Sequence, residues 1–509
     1  MNQFPWLTVI GLVPLVGAVV LWLLPPSLAD RAKHIALGAS LVTLVFTVAA
    51  ALQFKTDSSA KYQLVEEHSW IPQFGVSYAL GVDGIALALI IMSAILVPIC
   101  LLAAWNDLPA AEAHRERHYF ALMLVLETFM VGVFAATDVF LFYVFFEAML
   151  IPVYFLIGQF GGPRRQYAAV KFLLFSLAGG LIMLAAVIAL YVQGPGGADG
   201  FLLTKLAGIQ LSADTEKWIF VGFFIAFAVK APMVPVHTWL PDAAAETRPA
   251  TATLLVGVLD KVGTYGMIRF CLELFPGASQ WATPVVIVLA LVSIIYGALL
   301  AIGQQDMMRL IAFTSISHFG FIVLGIFALT STSWAGSSLY MINHGFSTAA
   351  LFLFAGMLIA RRGSKRIADF GGWQRVVPGL AGVWLVAGLS SIALPGLGSF
   401  VSEFLVLAGT FQRHQVVAVI ATTGIILAAL YILLMYQRTM TGPRPDIAVP
   451  DLSRREKWVA APLIALFLVL GFYPKPALDM VTPAVDAILT SIQVADPAPV
   501  VGAAEGSTK

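Results

Sequence analysis

The sequence predicts an all-α polytopic membrane protein, and three observations predict it. Of its 509 residues 60% are hydrophobic and only 11% charged, where a soluble globular chain is nearer a quarter charged. The mean hydropathy is +0.90. The apolar runs are long and continuous and do not alternate with period two, which favours helices over barrel strands, the two structures that satisfy their own backbone in a bilayer. A net charge of +1 leaves no electrostatic footprint for nucleic acid. Cys100 and Cys271 stand alone in apolar runs and suggest neither a disulfide framework nor a metal site.

Runs of roughly 20 apolar residues cross a bilayer core. Fourteen are counted, at 4–24, 34–54, 79–104, 118–136, 139–160, 167–193, 217–239, 248–275, 281–303, 307–329, 335–360, 378–412, 416–440 and 457–474. The first lacks a basic leader and a small-residue cleavage site, so it reads as a retained helix. Loops following odd-numbered helices hold 18 of the 29 Lys and Arg. The densest contain Arg361, Arg362, Lys365, Arg366 and Arg375, and Arg438, Arg444, Arg454, Arg455 and Lys457. The positive-inside rule then puts both termini outside and the basic loops in the cytoplasm. A wrong helix count would scramble this alternation.

Four cations lie within apolar runs: Lys171, Lys230, Lys261 and Arg269. Lys171 and Arg269 are within reach of helix ends and read as snorkelling to the interface. Lys230 and Lys261 have no such exit, and each costs roughly 2.5–3.5 kcal/mol at a helix centre. Pro232 and Pro235 follow Lys230, and an interior proline removes a backbone hydrogen bond and clashes with the preceding turn. The seventh helix is therefore predicted to break beside its charge. The twelfth is interrupted by Pro395 and Gly396, close to Glu403. Two broken helices at corresponding places point to inverted repeats with an ion path at their interface. Helices 4–8, residues 117–275, pair with helices 9–13, residues 281–441, and an odd number per unit makes the repeats inverted. One transmembrane domain, 1–474, is expected, followed by a short tail, 475–509, exposed on the outer side.

Folding the chain at its short loops groups the buried polar residues by depth. Glu127 and Glu147 are each ten residues from Thr137, and His318 and His344 each thirteen from Ser331. Lys230 and Lys261 flank Ala245, and Glu403 lies ten residues before Arg413. At about 1.5 Å per residue these groups form a line near mid-bilayer. The chemistry expected is proton hopping. Burial disfavours the charged form of lysine and carboxylate alike, and an opposite charge restores it, so a lysine whose partner moves releases its proton. Histidine relays it. In this reading Glu147 modulates Lys230, which exchanges protons through Lys261, His318 and His344 with Glu403.

Structural readings stand beside this one. A buried ion pair can be static, and a lone histidine can be a hydrogen-bonded packing residue. Glu127 is equally readable as a protonated carboxyl bonded to a neighbour, and His237 as loop architecture or an intake group. Metal ligation lacks clustered Cys or carboxylate partners. No dinucleotide or Walker loop and no cysteine cluster appears. The chain is expected to bind no nucleotide, carry no electrons and be driven by an ion gradient or by partners.

Five segments resemble the antiporter-like membrane subunits of respiratory complex I. They are Lys230-Ala-Pro-Met-Val-Pro-Val-His-Thr-Trp-Leu-Pro-Asp242, Asp260-Lys-Val-Gly-Thr-Tyr-Gly266, Ser315-Ile-Ser-His-Phe-Gly320, Asn343-His-Gly-Phe346 and Leu394-Pro-Gly-Leu-Gly-Ser-Phe-Val-Ser-Glu403. Subunits of multisubunit Na+/H+ antiporters and of membrane-bound hydrogenases share them more loosely and supply the alternative reading, with a membrane scaffold third. The resemblance implies fourteen helices and a proton half-channel in each repeat. It implies no cofactor in this chain, with flavin, iron–sulfur clusters and quinone in partner subunits. It implies a bacterial inner membrane, lipids, and neighbouring antiporter-like subunits L and N. It carries Glu147, Lys230, Lys261, His318, His344 and Glu403 over as functional positions. The chain departs from the family pattern at Ala244, commonly histidine; at Arg248, commonly proline; and at Asp260, usually apolar.

Overall fold

Two aspartates fix helix starts on one side of the molecule. Asp83 Oδ1 accepts from the Ala86 N–H at 2.9 Å, and Asp138 Oδ1 from the Leu141 N–H at 2.9 Å, each satisfying a first-turn donor that no carbonyl reaches. The computed structural model describes residues 4–58, 60–108 and 115–498. It opens with α1 (Trp6–Leu23) and α2 (Ala32–Ala51), an antiparallel hairpin of β1 (Gln63–Ile71) and β2 (Val76–Val82), then α3 (Gly84–Ala103) and α4 (Glu116–Ala135). Next come α5 (Val139–Ala148), α6 (Leu150–Phe160), α7 (Arg165–Gln193), the short α8 (Leu203–Leu206), α9 (Ala213–Lys230), α10 (Trp239–Glu246) and α11 (Pro249–Leu254). After α12 (Lys261–Gly266) follow α13 (Pro276–Ile302), α14 (Met307–Phe327), α15 (Ser331–Arg362), α16 (Pro378–Ser391), α17 (Gly398–Arg413), α18 (Gln415–Met440), α19 (Arg454–Phe472) and α20 (Lys475–Ser491). Among the described residues ten helical runs are long and apolar enough to cross a membrane, and α19 and α20 form a further pair bent by 67°. The chain is a multi-pass membrane protein.

Proline governs the interruptions. Pro152 has no N–H for the Ala148 carbonyl, and the run 139–160 divides into α5 and α6 there. Pro232 cannot bond the Ala228 carbonyl; the Met233 N–H takes it at 3.0 Å, and the chain turns through 231–238 before α10. Between α16 and α17, Ala393 (φ 56°) and Gly396 (φ 90°) adopt left-handed backbone. The two strands are the main surprise: residues 76–82 pair with β1, so the third helix begins at 84 and not at 79.

The loops tie together in two separate sets. On the basic face Arg248 bonds the Asp107 carbonyl, Lys365 and Arg164 approach Glu246 at 3.6 and 3.7 Å, and Arg361 grips Glu456 through two bonds of 2.8 and 2.7 Å. On the opposite face the Thr137 N–H reaches Ala79 O at 2.9 Å, Lys61 pairs with Glu273, and Asp496 accepts from the Ser331 N–H at 2.8 Å. The 475–491 stretch is therefore not a bare exposed tail. As α20 it buries Val481, Val485, Ile488 and Leu489, one stripe at helical spacing, and it packs against α3 and α15.

Two further expectations are corrected here. Arg269 does not snorkel: its side chain is 1% exposed and pairs with Asp83 and with Glu273. Lys171 reaches Asp242 at 2.6 Å, beside Arg309 at 2.5 Å, so it fastens α7 to α10.

Burial separates an inner helix from an outer ring. Every residue of α14 except Arg309 is buried, whereas α2, α7 and α18 present Val45, Val192 and Ile426 outward. An exposed apolar ring of this extent suits lipid. On the basic face, burial pushes the Asp107 carboxyl up to about 6, with Arg248 and Arg455 pulling it down. A carboxyl raised above its unfolded value favours folding at low pH, and that contribution is lost as pH rises through about 6. Asp107→Asn is therefore expected to stabilise the protein at pH 7.5 by ~1–2 kcal/mol. In detergent thermal melts its advantage should shrink as pH falls to about 5; a constant advantage contradicts this account.

Candidate functional site

The buried polar residues of the eighth to twelfth predicted helices meet where the regular hydrogen-bonding pattern fails. Between α11 and α12 the backbone is a π-helix, Leu255–Leu259. The wider turn moves the Asp260 N–H onto Leu255 O, at 3.2 Å, and leaves Val256 O to accept from Lys261 Nζ at 2.7 Å. Such single π turns recur at functional sites. Gly257 and Gly345 allow this turn to lie against α15: a Cβ on Gly345 would stand 3.0 Å from Gly257 O. That close crossing delivers the next contact. Lys261 Nζ lies 2.7 Å from His344 Nδ1, and His344 Nε2 lies 3.0 Å from Thr348 Oγ1.

From His344 the line continues sideways. The His318 and His344 rings are perpendicular with centroids 5.3 Å apart. His318 Nε2 is 3.3 Å from the Tyr431 hydroxyl, and its ring lies 6.0 Å from that of Tyr340. The Tyr340 hydroxyl donates to Glu403 Oε2 at 2.9 Å. Glu403 sits one and a half turns into α17, just after the break, and the break is pinned by Asn343 Nδ2, which donates to Gly398 O at 2.7 Å and lies 3.2 Å from Ser402 Oγ. Lys261, His344, His318, Tyr340 and Glu403 thus form one connected file. Tyr340 and Tyr431 were not singled out from the sequence. Tyr340 precedes His344 by four residues and so shares its helical face, which is the signal that would have found it.

The other end is looser. Lys230 closes α9, where the helix dipole favours a cation. Its Nζ has no hydrogen-bond partner among protein groups and lies 4.9 Å from the Phe146 ring and 5.8 Å from that of Phe172. Glu147 and Asp260 are the carboxylates whose fields reach it. Glu147 Oε1 and both Asp260 oxygens are also unpartnered, so Asp260 does not clasp the neighbouring Lys261 and stands between the two lysines. Glu127 is fully buried with both oxygens unpartnered and lies outside the file. His237 lies in the turn after α9, buried, with its ring against Tyr296 at 5.6 Å. Among the described residues no group of three or more His, Cys, Asp or Glu is placed to hold a metal.

Glycine on α7 makes the room for Glu147. A Cβ on Gly180 would fall 1.7 Å from Glu147 Oε1, but a carboxylate at the end of a flexible side chain can turn away. Gly180→Ala is accordingly expected to leave stability within ~1 kcal/mol while moving Glu147 off Lys230 and reducing proton transport by about tenfold. Thermal melts and transport assays on the same preparation check both halves; unchanged transport contradicts a role for the Glu147 position.

Helices broken beside buried charges, around a lateral file of titratable side chains, define a membrane protein of the antiporter-like class. A family model described as NADH:quinone oxidoreductase/Mrp antiporter, TM, matches residues 136–428, and one described as NADH-ubiquinone oxidoreductase chain 4, amino terminus, matches 36–133. NADH-quinone oxidoreductase subunit M of Mycobacterium tuberculosis is 52% identical, over 98% of this chain and 96% of its own length. A chain of respiratory complex I from Thermus thermophilus superposes with a TM-score of 0.86 at 30% identity, covering 96% of this chain and 99% of that one. A chain of the Mrp complex from Dietzia sp. DQ12-45-1b shares the fold, with a TM-score of 0.85 at 23% identity over 97% of this chain and 99% of that one. The chain belongs to the subunit M, or chain 4, family of NADH-quinone oxidoreductases.

Proposed function

We propose that this chain is a proton-translocating subunit of the membrane arm of respiratory complex I. It moves protons along the mid-membrane file and is driven by quinone reduction in other subunits. The observation that carries the reading is the succession of side chains from Lys261 through His344, His318 and Tyr340 to Glu403, hydrogen-bonded at both ends and in ring contact between them. Each member either titrates or can pass a proton. A static ion pair would need no such succession. Lys230, with Glu147 and Asp260 acting on it, is the group that loads the file, and Glu403 is the group that receives.

Around this core we place fourteen spans. They are reached by counting the broken pairs α9–α10 and α16–α17, the run from α11 to the residues after α12, and α19, the first half of the bent pair, as spans beside the ten long runs. Helices 4–8, residues 117–275, and 9–13, residues 281–441, form two inverted repeats with a break in each. The basic face is cytoplasmic and the termini are outside. The chain holds no redox cofactor; flavin, iron–sulfur clusters and quinone belong to partner subunits, and antiporter-like subunits L and N are its neighbours in a bacterial inner membrane. Affinity purification of the chain from native membranes tests the assignment. Flavin- and iron–sulfur-containing partners are expected; recovery only with small membrane subunits would make it a Na+/H+ antiporter component instead.

A further inference from the structure

We infer that Tyr265, Arg269 and Glu273, with Asp83, Lys61 and Tyr62, form an outward proton-release site that connects Lys261 to solvent on the face opposite the basic loops. The inference rests on the translocation reading and extends it beyond the lateral file. Residues 261, 265, 269 and 273 recur every four positions along α12 and the π-helical turn Met267–Leu272 that continues it, which keeps them near one face of the run. The contacts agree. The Arg269 guanidinium is 5.6 Å from the Tyr265 ring and 5.4 Å from that of Tyr62. Its Nη1 donates to Glu273 Oε2 at 3.1 Å, it pairs with Asp83, and Glu273 in turn pairs with Lys61.

Above this cluster opens a cavity of about 250 Å³, lined by Lys61, Asp83, Arg269, Met480, Ala484 and Ala487. That space holds several waters at about 30 Å³ each. It reaches Arg269, whose side chain is 1% exposed, and whose Nε has no hydrogen-bond partner; the buried Tyr62 hydroxyl is likewise unpartnered. A cluster that served only to clamp α3 to the end of the 249–272 run would gain by closing over these atoms. In the proposed step the Tyr265 hydroxyl turns from the Phe134 carbonyl, to which it donates at 3.0 Å, takes a proton from the Lys261 ammonium as it gives its own, and the proton reaches Glu273 or Asp83. From there it goes to water in the cavity. Lys261 is recharged from Lys230, the group that loads the file, and Arg269 stays charged throughout, holding the two carboxylates in place.

The test uses Ala487→Cys, an exposed position on α20 at the cavity, in the assembled complex; Cys100 and Cys271 are buried. Spheroplasts are treated with a bulky membrane-impermeant disulfide-forming reagent, and proton output per electron is read in inverted vesicles. Output should fall about twofold or more and return on reduction. Ser69→Cys, exposed on the same face but away from the cavity, should show no change. The isosteric Tyr265→Phe, with assembly verified, should lower output to a similar degree. Full output from both the blocked Ala487→Cys and Tyr265→Phe, with Lys261→Ala impaired, overturns the release site and leaves the translocation reading standing. Full output from Lys261→Ala as well overturns both.

Discussion

Lys261→Arg is expected to assemble with its partners and yet lose transport through this subunit by ~100-fold, because a guanidinium keeps the positive charge but does not surrender its proton. Lys261→Ala should lose transport to the same extent and also stability, since Val256 O and His344 Nδ1 both lose their partner and an orphaned buried acceptor costs ~1–3 kcal/mol. The comparison separates charge from titration. If Lys261→Arg transports at the parent rate, the lysine serves only as a fixed charge and the relay is wrong. The relevant measurement is proton output per NADH oxidised in vesicles, set against the uncoupled oxidation rate, so that a damaged complex is not mistaken for a blocked path.

The second large effect is structural. At Gly263 a Cβ would stand 2.5 Å from Ala231 N and 2.5 Å from Phe227 O, and backbone atoms at a helix end cannot swing aside as a side chain can. Gly263→Ala must push α12 away from the end of α9, at a cost of ~3 kcal/mol, a large share of the ~5–15 kcal/mol that keeps a domain folded. Lower recovery of the assembled subunit and a melting temperature depressed by several degrees are expected. The displacement also carries Lys230 away from Asp260, so whatever protein assembles should transport poorly. Parental melting and transport would show that the two helices do not depend on this close approach.

What the sequence disclosed and what it concealed follow from how hydropathy registers a side chain. Lys230, Lys261, His318, His344 and Glu403 stood out because each is a strongly polar group inside an apolar run, and four of them lie in the connected file. Tyr340 and Tyr431 did not, since a tyrosine in such a run reads as an aromatic and its hydroxyl matters only once a partner is found. The breaks after Lys230 and before Glu403 were legible in Pro232 and in Pro395-Gly396, where the missing N–H and the left-handed glycine have local causes. The π turn at 255–259 has no such local mark, and without it Lys261 would lack the Val256 carbonyl. Long-range pairing was also hidden. Arg269 looked like a snorkelling residue because its partner Asp83 lies in a distant part of the chain, and the hairpin 63–82 was invisible next to the apolar run that it precedes.

The pairing by depth was half informative. It joined His318 with His344, which touch, but it also joined Lys230 with Lys261 and Glu127 with Glu147. In the structure Lys261 bonds His344, Lys230 lies against Phe146 and Phe172, and Glu127 stands apart. Depth constrains one coordinate only; the direction in which a side chain leaves its helix decides the contact.

The file from Lys261 to Glu403 is tested most directly at its far end. Glu403→Gln keeps the shape and the acceptor for the Tyr340 hydroxyl while removing the ability to take up and release a proton. With the complex shown intact by its uncoupled NADH oxidation, the account predicts that proton output per electron in reconstituted vesicles drops well below the parent value. An output equal to the parent's would mean that protons do not pass through this carboxylate.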